Sequence, residues 1–293
     1  MKININPVLR KEAKTTVRTW RIGVLIAIYV GVLSSVAVIT FGTFLKNMAY
    51  GGARYEELPT LYMAIESLQL VLILFIVPSL SASAISGERE RQTLDILLST
   101  KMSPLSIVTG KLVASLSKVV LLIISTIPVF SLVFLFGGVS VMHIFQITIF
   151  YLVTALYVGS ISIFISTFFK SSRVSNVVVY AVGLFLTLGT LFITFIYFQY
   201  INLKYISIGQ STLQNFSAPF YLYLNPLWGY ISLVSNQIGS GGGIPGIRTV
   251  SQYANTWIIN CIVEVIMSVI LIFLSAWKLN PIKRYNKKRM SKI

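Results

Sequence analysis

Charge-free apolar runs divide this chain. Residues 22–45 contain no Asp, Glu, Lys or Arg, and a membrane-crossing helix needs about 20 mainly apolar residues. A second run, about 62–85, carries Glu66 near one end and Pro78 inside. Residues 119–169 again hold no charge. That stretch is too long for one helix, and Gly137-Gly138 is its natural break. It closes a third span of about 111–136 and supplies a fourth of about 142–168. Lys170 to Arg173 form a short loop, followed by a fifth span of about 174–200 and a sixth of about 256–277. The pattern predicts an all-α membrane protein with six transmembrane helices. Residues 1–21 are an amphipathic leader, 22–277 the transmembrane domain and 278–293 a basic tail.

Three spans carry polar or small residues at helical spacing. The fifth has Asn176, Tyr180, Gly183, Thr187, Thr190 and Thr194 at intervals of three and four, which keeps them on one face. Two readings fit that stripe: helix packing, or lining of a substrate path through Thr187, Thr190 and Thr194. The sixth has Asn260, Glu264, Ser268 and Ser275 on one face. A carboxylate at Glu264's depth costs at least ~2.5 kcal/mol, so it is protonated and bridges two helices, is hydrogen-bonded to Asn260, or faces a water-filled path that Asn260 and Glu264 would line. Glu66 lies nearer the outer interface, where water is in reach. Ala155, Gly159, Ser162 and Ser166 in the fourth span read as a close-packing stripe.

Composition narrows the class. Hydrophobic residues make up 55% of 293 and charged residues 11%, with mean hydropathy +0.81. No soluble fold hides that much apolar surface, which excludes a soluble enzyme and a disordered chain. The net charge is +16. All but four of the 24 Lys+Arg fall in the leader, in 87–118, at Lys170 and Arg173, or in the tail from Lys278. Lys46, Arg54, Lys204 and Arg248 are the exceptions. This asymmetry places both termini in the cytoplasm, and it reads as topology rather than nucleic-acid binding. The single cysteine, Cys261, has no internal disulfide partner, and one histidine, His143, makes no metal cluster.

Two segments fall outside the spans. Residues 5–21 set Val8, Ala13, Val17 and Trp20 against Arg10, Lys14, Arg18 and Arg21, a pattern suited to anionic lipid at the interface. The outer segment, about 201–255, crowds aromatic residues around Pro219 and Pro226 and then runs through Gly239–Gly246. It reads as short re-entrant helices and a connector, or as a lipid-facing aromatic belt.

The most informative stretch is cytoplasmic, about 87–101. Glu88, Arg89, Glu90 and Arg91 are followed by Thr93, and Leu94, Leu97 and Leu98 make an apolar ridge at helical spacing. Local pairs of Glu88 with Arg91 and of Arg91 with Asp95 would support the helix. Ser103-Pro104 reads as the next helix start. This run resembles the cytoplasmic signature of ABC type-2 transporter permeases. Gly110-Lys111, the opening Asn6-Pro-Val-Leu-Arg-Lys-Glu12 and Leu224-Asn225-Pro226 resemble other parts of that family's pattern. Gln92 stands where the family has glycine, and Lys101 where it has proline, so a longer helix is expected.

The resemblance implies a coupling helix whose Glu88 to Arg91, Thr93, Leu94, Leu97 and Leu98 meet a separate ATPase. It also implies an amphipathic elbow at the start and outer-leaflet helices before the last span. Two ATPase copies and a second permease copy would complete the unit, exporting an amphipathic peptide, antibiotic or lipid-like substrate across a bacterial plasma membrane. The chain contains no G-x-x-x-x-G-K-[ST], so no catalytic residue or cofactor is expected in it, and ATP and magnesium would sit on the partner. The alternative is an ion- or proton-coupled carrier using Glu264, against which stands the lack of an inverted repeat.

Overall fold

The computed structural model describes residues 20–50, 58–99, 102–135, 140–206, 219–238 and 256–280. The elbow before Trp20, the Gly137-Gly138 break, the Gly239–Gly246 connector and most of the basic tail lie outside them. Every regular element among the described residues is helical, and six helices are long and apolar enough to cross a membrane. The six-span all-α reading therefore stands.

Helix α1 is Trp20–Ala49 and α2 Leu58–Ser81. Two short helices follow, α3 Ser86–Glu90 and α4 Leu94–Ser99. The third span begins earlier than hydropathy suggests, because α5 runs Pro104–Ser125. Ser103 caps it, its Oγ accepting from the Ser106 amide at 3.2 Å, and Pro104 sits in the first turn, where no amide donor is required. The chain breaks at Thr126 before α6, Ile127–Leu135. Pro128 has no amide to continue the ladder there.

The fourth span is α7, Val141–Ser166, and the fifth comprises α8, Ser172–Leu184, a π turn at Phe185–Gly189, and α9, Thr190–Ile206. A 3-10 turn, Phe220–Leu224, leads into α10, Pro226–Ile238, and α11, Thr256–Leu279, is the sixth span.

Helix α7 is the axis of the bundle and packs on α2, α5, α8 and α11. Its small residues allow this. A Cβ added at Gly159 would come within 3.1 Å of Leu112 and 3.6 Å of Val77, and Ala155 is buried beside it. Between apolar spans, close backbone approach and dispersion replace the hydrophobic drive available in water. The fourth-span stripe is packing.

The core is layered along the bundle. Leu70, Ile73, Val119, Phe150 and Leu233 meet in the middle. At the end bearing the charged segment, Ile85, Leu94, Ile107, Leu112, Ile163 and Leu279 form a second cluster. Helices α1, α8, α9 and α11 expose long apolar faces, among them Val38, Val177, Phe192 and Phe273, as lipid-facing or subunit-facing helices do.

Candidate functional site

The charged segment is a bent elbow rather than one helix. Helix α3 stops at Glu90, and α4 starts at Leu94. Between them Gln92 has φ 59°, the one non-glycine residue in the left-handed region among those described. The expected longer helix is therefore corrected: at the position where the resembled family has glycine, the backbone turns as glycine turns most easily. Gln92→Gly should tighten this elbow, raising the thermal midpoint by the equivalent of about 1 kcal/mol, whereas Gln92→Val should lower it. Differential melting in detergent reads both.

Three consecutive charges anchor the elbow to three spans. The Glu88 carboxylate accepts from Lys111 Nζ on α5 at 2.7 Å and from the Thr93 hydroxyl across the bend. The Thr93 amide also donates to the Glu88 carbonyl at 2.9 Å. Arg89 donates to the Phe169 and Thr167 carbonyls, each at 3.0 Å, at the end of α7, where a cation meets the negative pole of the helix. Glu90 accepts from the Ser172 amide at 3.0 Å and its hydroxyl at 2.6 Å, at the positive start of α8. Ser166 of α7 completes the clamp by accepting from the Ile85 and Ser86 amides at 3.1 and 2.8 Å.

The predicted local pair of Glu88 with Arg91 is thus replaced by a long-range one, and Arg91 is exposed. The apolar ridge is turned partly inward. Leu94 is 2% exposed and packs in the inner cluster, with Leu97 and Leu98 leaning on the same cluster. The outward face of α4 is Asp95, Ile96 and Ser99, and Ile96 is 68% exposed.

At the opposite end, Asn225 ties the α10 segment to the fifth span. Its Oδ1 accepts from the Leu227 amide at 2.8 Å and caps α10. Its Nδ2 donates to the Thr187 carbonyl at 2.9 Å and the Thr190 hydroxyl at 2.7 Å. Asn260 of α11 donates to the Tyr223 and Asn225 carbonyls at 2.7 and 3.2 Å. Gly229 faces Asn260 and Phe150 so closely that an added Cβ would sit 2.9 Å from the Phe150 ring.

The five residues read as possible path lining are thereby placed. Thr187 and Thr190 are largely buried, and their hydroxyls donate to the Gly183 and Leu186 carbonyls one turn back. Thr194 donates to the Thr190 carbonyl at 2.7 Å. Asn260 and Glu264 are fully enclosed. Glu264 Oε2 accepts from Thr154 of α7 at 3.2 Å, so its bridge runs to α7 and not to Asn260. Glu66 is also fully buried, not at the water's edge. Tyr151 donates to its backbone carbonyl at 2.8 Å, and Tyr230 to that of Met63 at 3.2 Å.

A family model described as ABC-2 family transporter protein matches residues 6–284. No curated protein matches the chain.

Proposed function

The chain belongs to the ABC-2 family of transporter proteins, and from that premise we propose that it is the permease of an ATP-driven exporter whose α3–α4 elbow takes the stroke of a separate ATPase. The membrane-subunit role follows from the family. Direction, substrate and stoichiometry are our reading.

One observation carries the proposal. Glu88, Arg89 and Glu90 fasten the elbow to α5, α7 and α8, while Arg91, Asp95, Ile96 and Ser99 stay outside. A push on that outer face reaches three spans at once through charge-assisted hydrogen bonds, the stronger kind. We place this end of the bundle, with both termini, in the cytoplasm of a bacterial plasma membrane. Two ATPases bearing ATP and magnesium and a second permease copy would complete the unit. The aromatic turn and α10 would close its outer end, and the basic leader and tail would rest on the lipid surface. The substrate is amphipathic or hydrophobic.

Family membership does not favour the ion-coupled alternative, and Glu264 has no open face from which to exchange an ion. The test is reconstitution of the complex, purified through a tag on this chain, into vesicles. Export should require ATP, ignore an imposed proton gradient and persist in Glu264→Gln, whose amide oxygen still accepts from Thr154. Gradient-driven transport lost in that variant would reverse the reading.

A further inference from the structure

Two cavities of opposite character border α2 and share one face of α8. The inner one, about 810 Å³, is polar, and its wall includes Arg91, Lys111, Lys118, Glu88, Glu90 and Asn176. The other, about 310 Å³, is a slot with walls of carbon, among them Phe75, Pro78, Tyr157, Gly183, Leu184 and Leu227. Both fall within the roughly 300–1,000 Å³ range of small-molecule pockets. Ser172 and Asn176 line the inner chamber, and Tyr180, Gly183 and Thr187 the slot. These five follow at helical intervals over about 22 Å of the fifth span, from the start of α8 into the π turn.

The charges of the chamber do not cancel. Glu88 is neutralised by Lys111 at 2.7 Å, and Glu90 is held by Ser172 on the α8 side. Arg91 and Lys118 remain against Glu90 alone. Lys118 lies within the third span, fourteen residues past its start at Pro104. It was assigned to the inner charged segment by sequence, yet a cation at that depth needs water or a counter-charge. No carboxylate among the described residues pairs with it. The Asn176 side-chain oxygen, also in the chamber wall, is buried without a hydrogen-bond donor.

We infer that the transported substrate is a single-chain anionic amphiphile, its acid group read by Lys118 in the inner chamber and its hydrocarbon chain held in the α2–α8 slot. This deepens the exporter reading and rests on it. The slot selects hydrocarbon over peptide. Two of its three hydroxyls are already spent, Tyr180 donating to the Phe75 carbonyl at 2.9 Å and Thr187 to the Gly183 carbonyl at 2.8 Å. A peptide backbone laid there would lose its hydrogen bonds to water and find few replacements. A methylene chain loses none. Asn176 supplies an acceptor for a head that carries an amide or hydroxyl hydrogen beside its acid, as an N-acyl amino acid does.

The test is direct binding to the full chain in phosphatidylcholine nanodiscs, read by the fluorescence of 11-(dansylamino)undecanoate. Binding should saturate and be displaced by N-lauroylglycine but not by dodecyltrimethylammonium. Lys118→Met should weaken it at least tenfold. Gly183→Leu should abolish it by filling the slot, where an added Cβ meets no atom within 4 Å, with thermal melting confirming the fold of both variants. Equal displacement by the cationic amphiphile, or binding indifferent to both substitutions, overturns the inference. So does loss of wild-type binding when phosphatidylglycerol replaces part of the phosphatidylcholine, which would make the occupant a resident bilayer lipid. The assay needs no ATPase, so its failure is separate from failure of the ATPase to copurify, which bears on the exporter reading alone.

Discussion

Ile96→Asp is expected to strip the ATPase from this permease while leaving the helical bundle intact. Ile96 is the one large apolar side chain on the outward face of α4, 68% exposed, and it is flanked by Asp95 and Ser99. Burying an isoleucine in a partner's groove contributes about 1.5–3 kcal/mol. A carboxylate in its place adds a desolvation cost to that loss. Together these predict a fall in affinity of at least about a hundredfold, since each 1.4 kcal/mol is tenfold. Pull-down from membranes should then recover the permease without its ATPase, at an unchanged melting midpoint. Leu94→Ala is the contrasting variant. Leu94 is 2% exposed inside the inner cluster, so truncation should cost about 2–5 kcal/mol of stability. Retention of the ATPase by Ile96→Asp, with loss in a Leu98 variant of unchanged melting, would return the contact to the leucine ridge.

That register shows where sequence reading reaches and where it stops. The six spans were legible because hydropathy over some twenty residues reflects the bilayer directly, and Ser103-Pro104 announced α5 through local capping chemistry. The elbow was legible as a segment but not as a shape. Gln92 in place of the resembled family's glycine suggested a helix that continues, because propensity says nothing about a φ of 59° imposed by neighbours. Those neighbours are distant in sequence: Lys111 for Glu88, Phe169 for Arg89, Ser172 for Glu90. Spacing rules of three and four residues cannot find them. Glu66 was misplaced for a related reason. Its position within a span was readable, but not that Tyr151 and Tyr230 close over that turn of α2. Lys118 counts with the inner charges by its sign although the third span of about 111–136 already contains it, and the start of α5 at Pro104 sets it fourteen residues into that helix.

Asn225 carries the second large effect, and Asn225→Ala is expected to destabilise the protein by about 4 kcal/mol. The side chain is fully buried and makes three hydrogen bonds at 2.7–2.9 Å. Loss of the cap on α10 costs about 1 kcal/mol. Loss of the two donors removes about 1 kcal/mol each, and the Thr187 carbonyl, left with only the Thr190 hydroxyl at 3.4 Å, adds about 1 kcal/mol more. Thr190→Val removes only one of these bonds and should cost about 1 kcal/mol. Asn225→Asp separates the contributions differently, because it preserves the cap yet turns an acceptor toward the Thr187 carbonyl. It should therefore be no better than alanine. Thermal melting of the three variants in detergent measures this order. Wild-type melting of Asn225→Ala would mean that Asn260, which holds the Tyr223 and Asn225 carbonyls, suffices to seat α10. The expected order means that the fifth span and the α10 segment melt as one unit joined at the π turn, the link that the proposed movement of α8 from the elbow through Glu90 and Ser172 would need to reach the opposite end of the bundle.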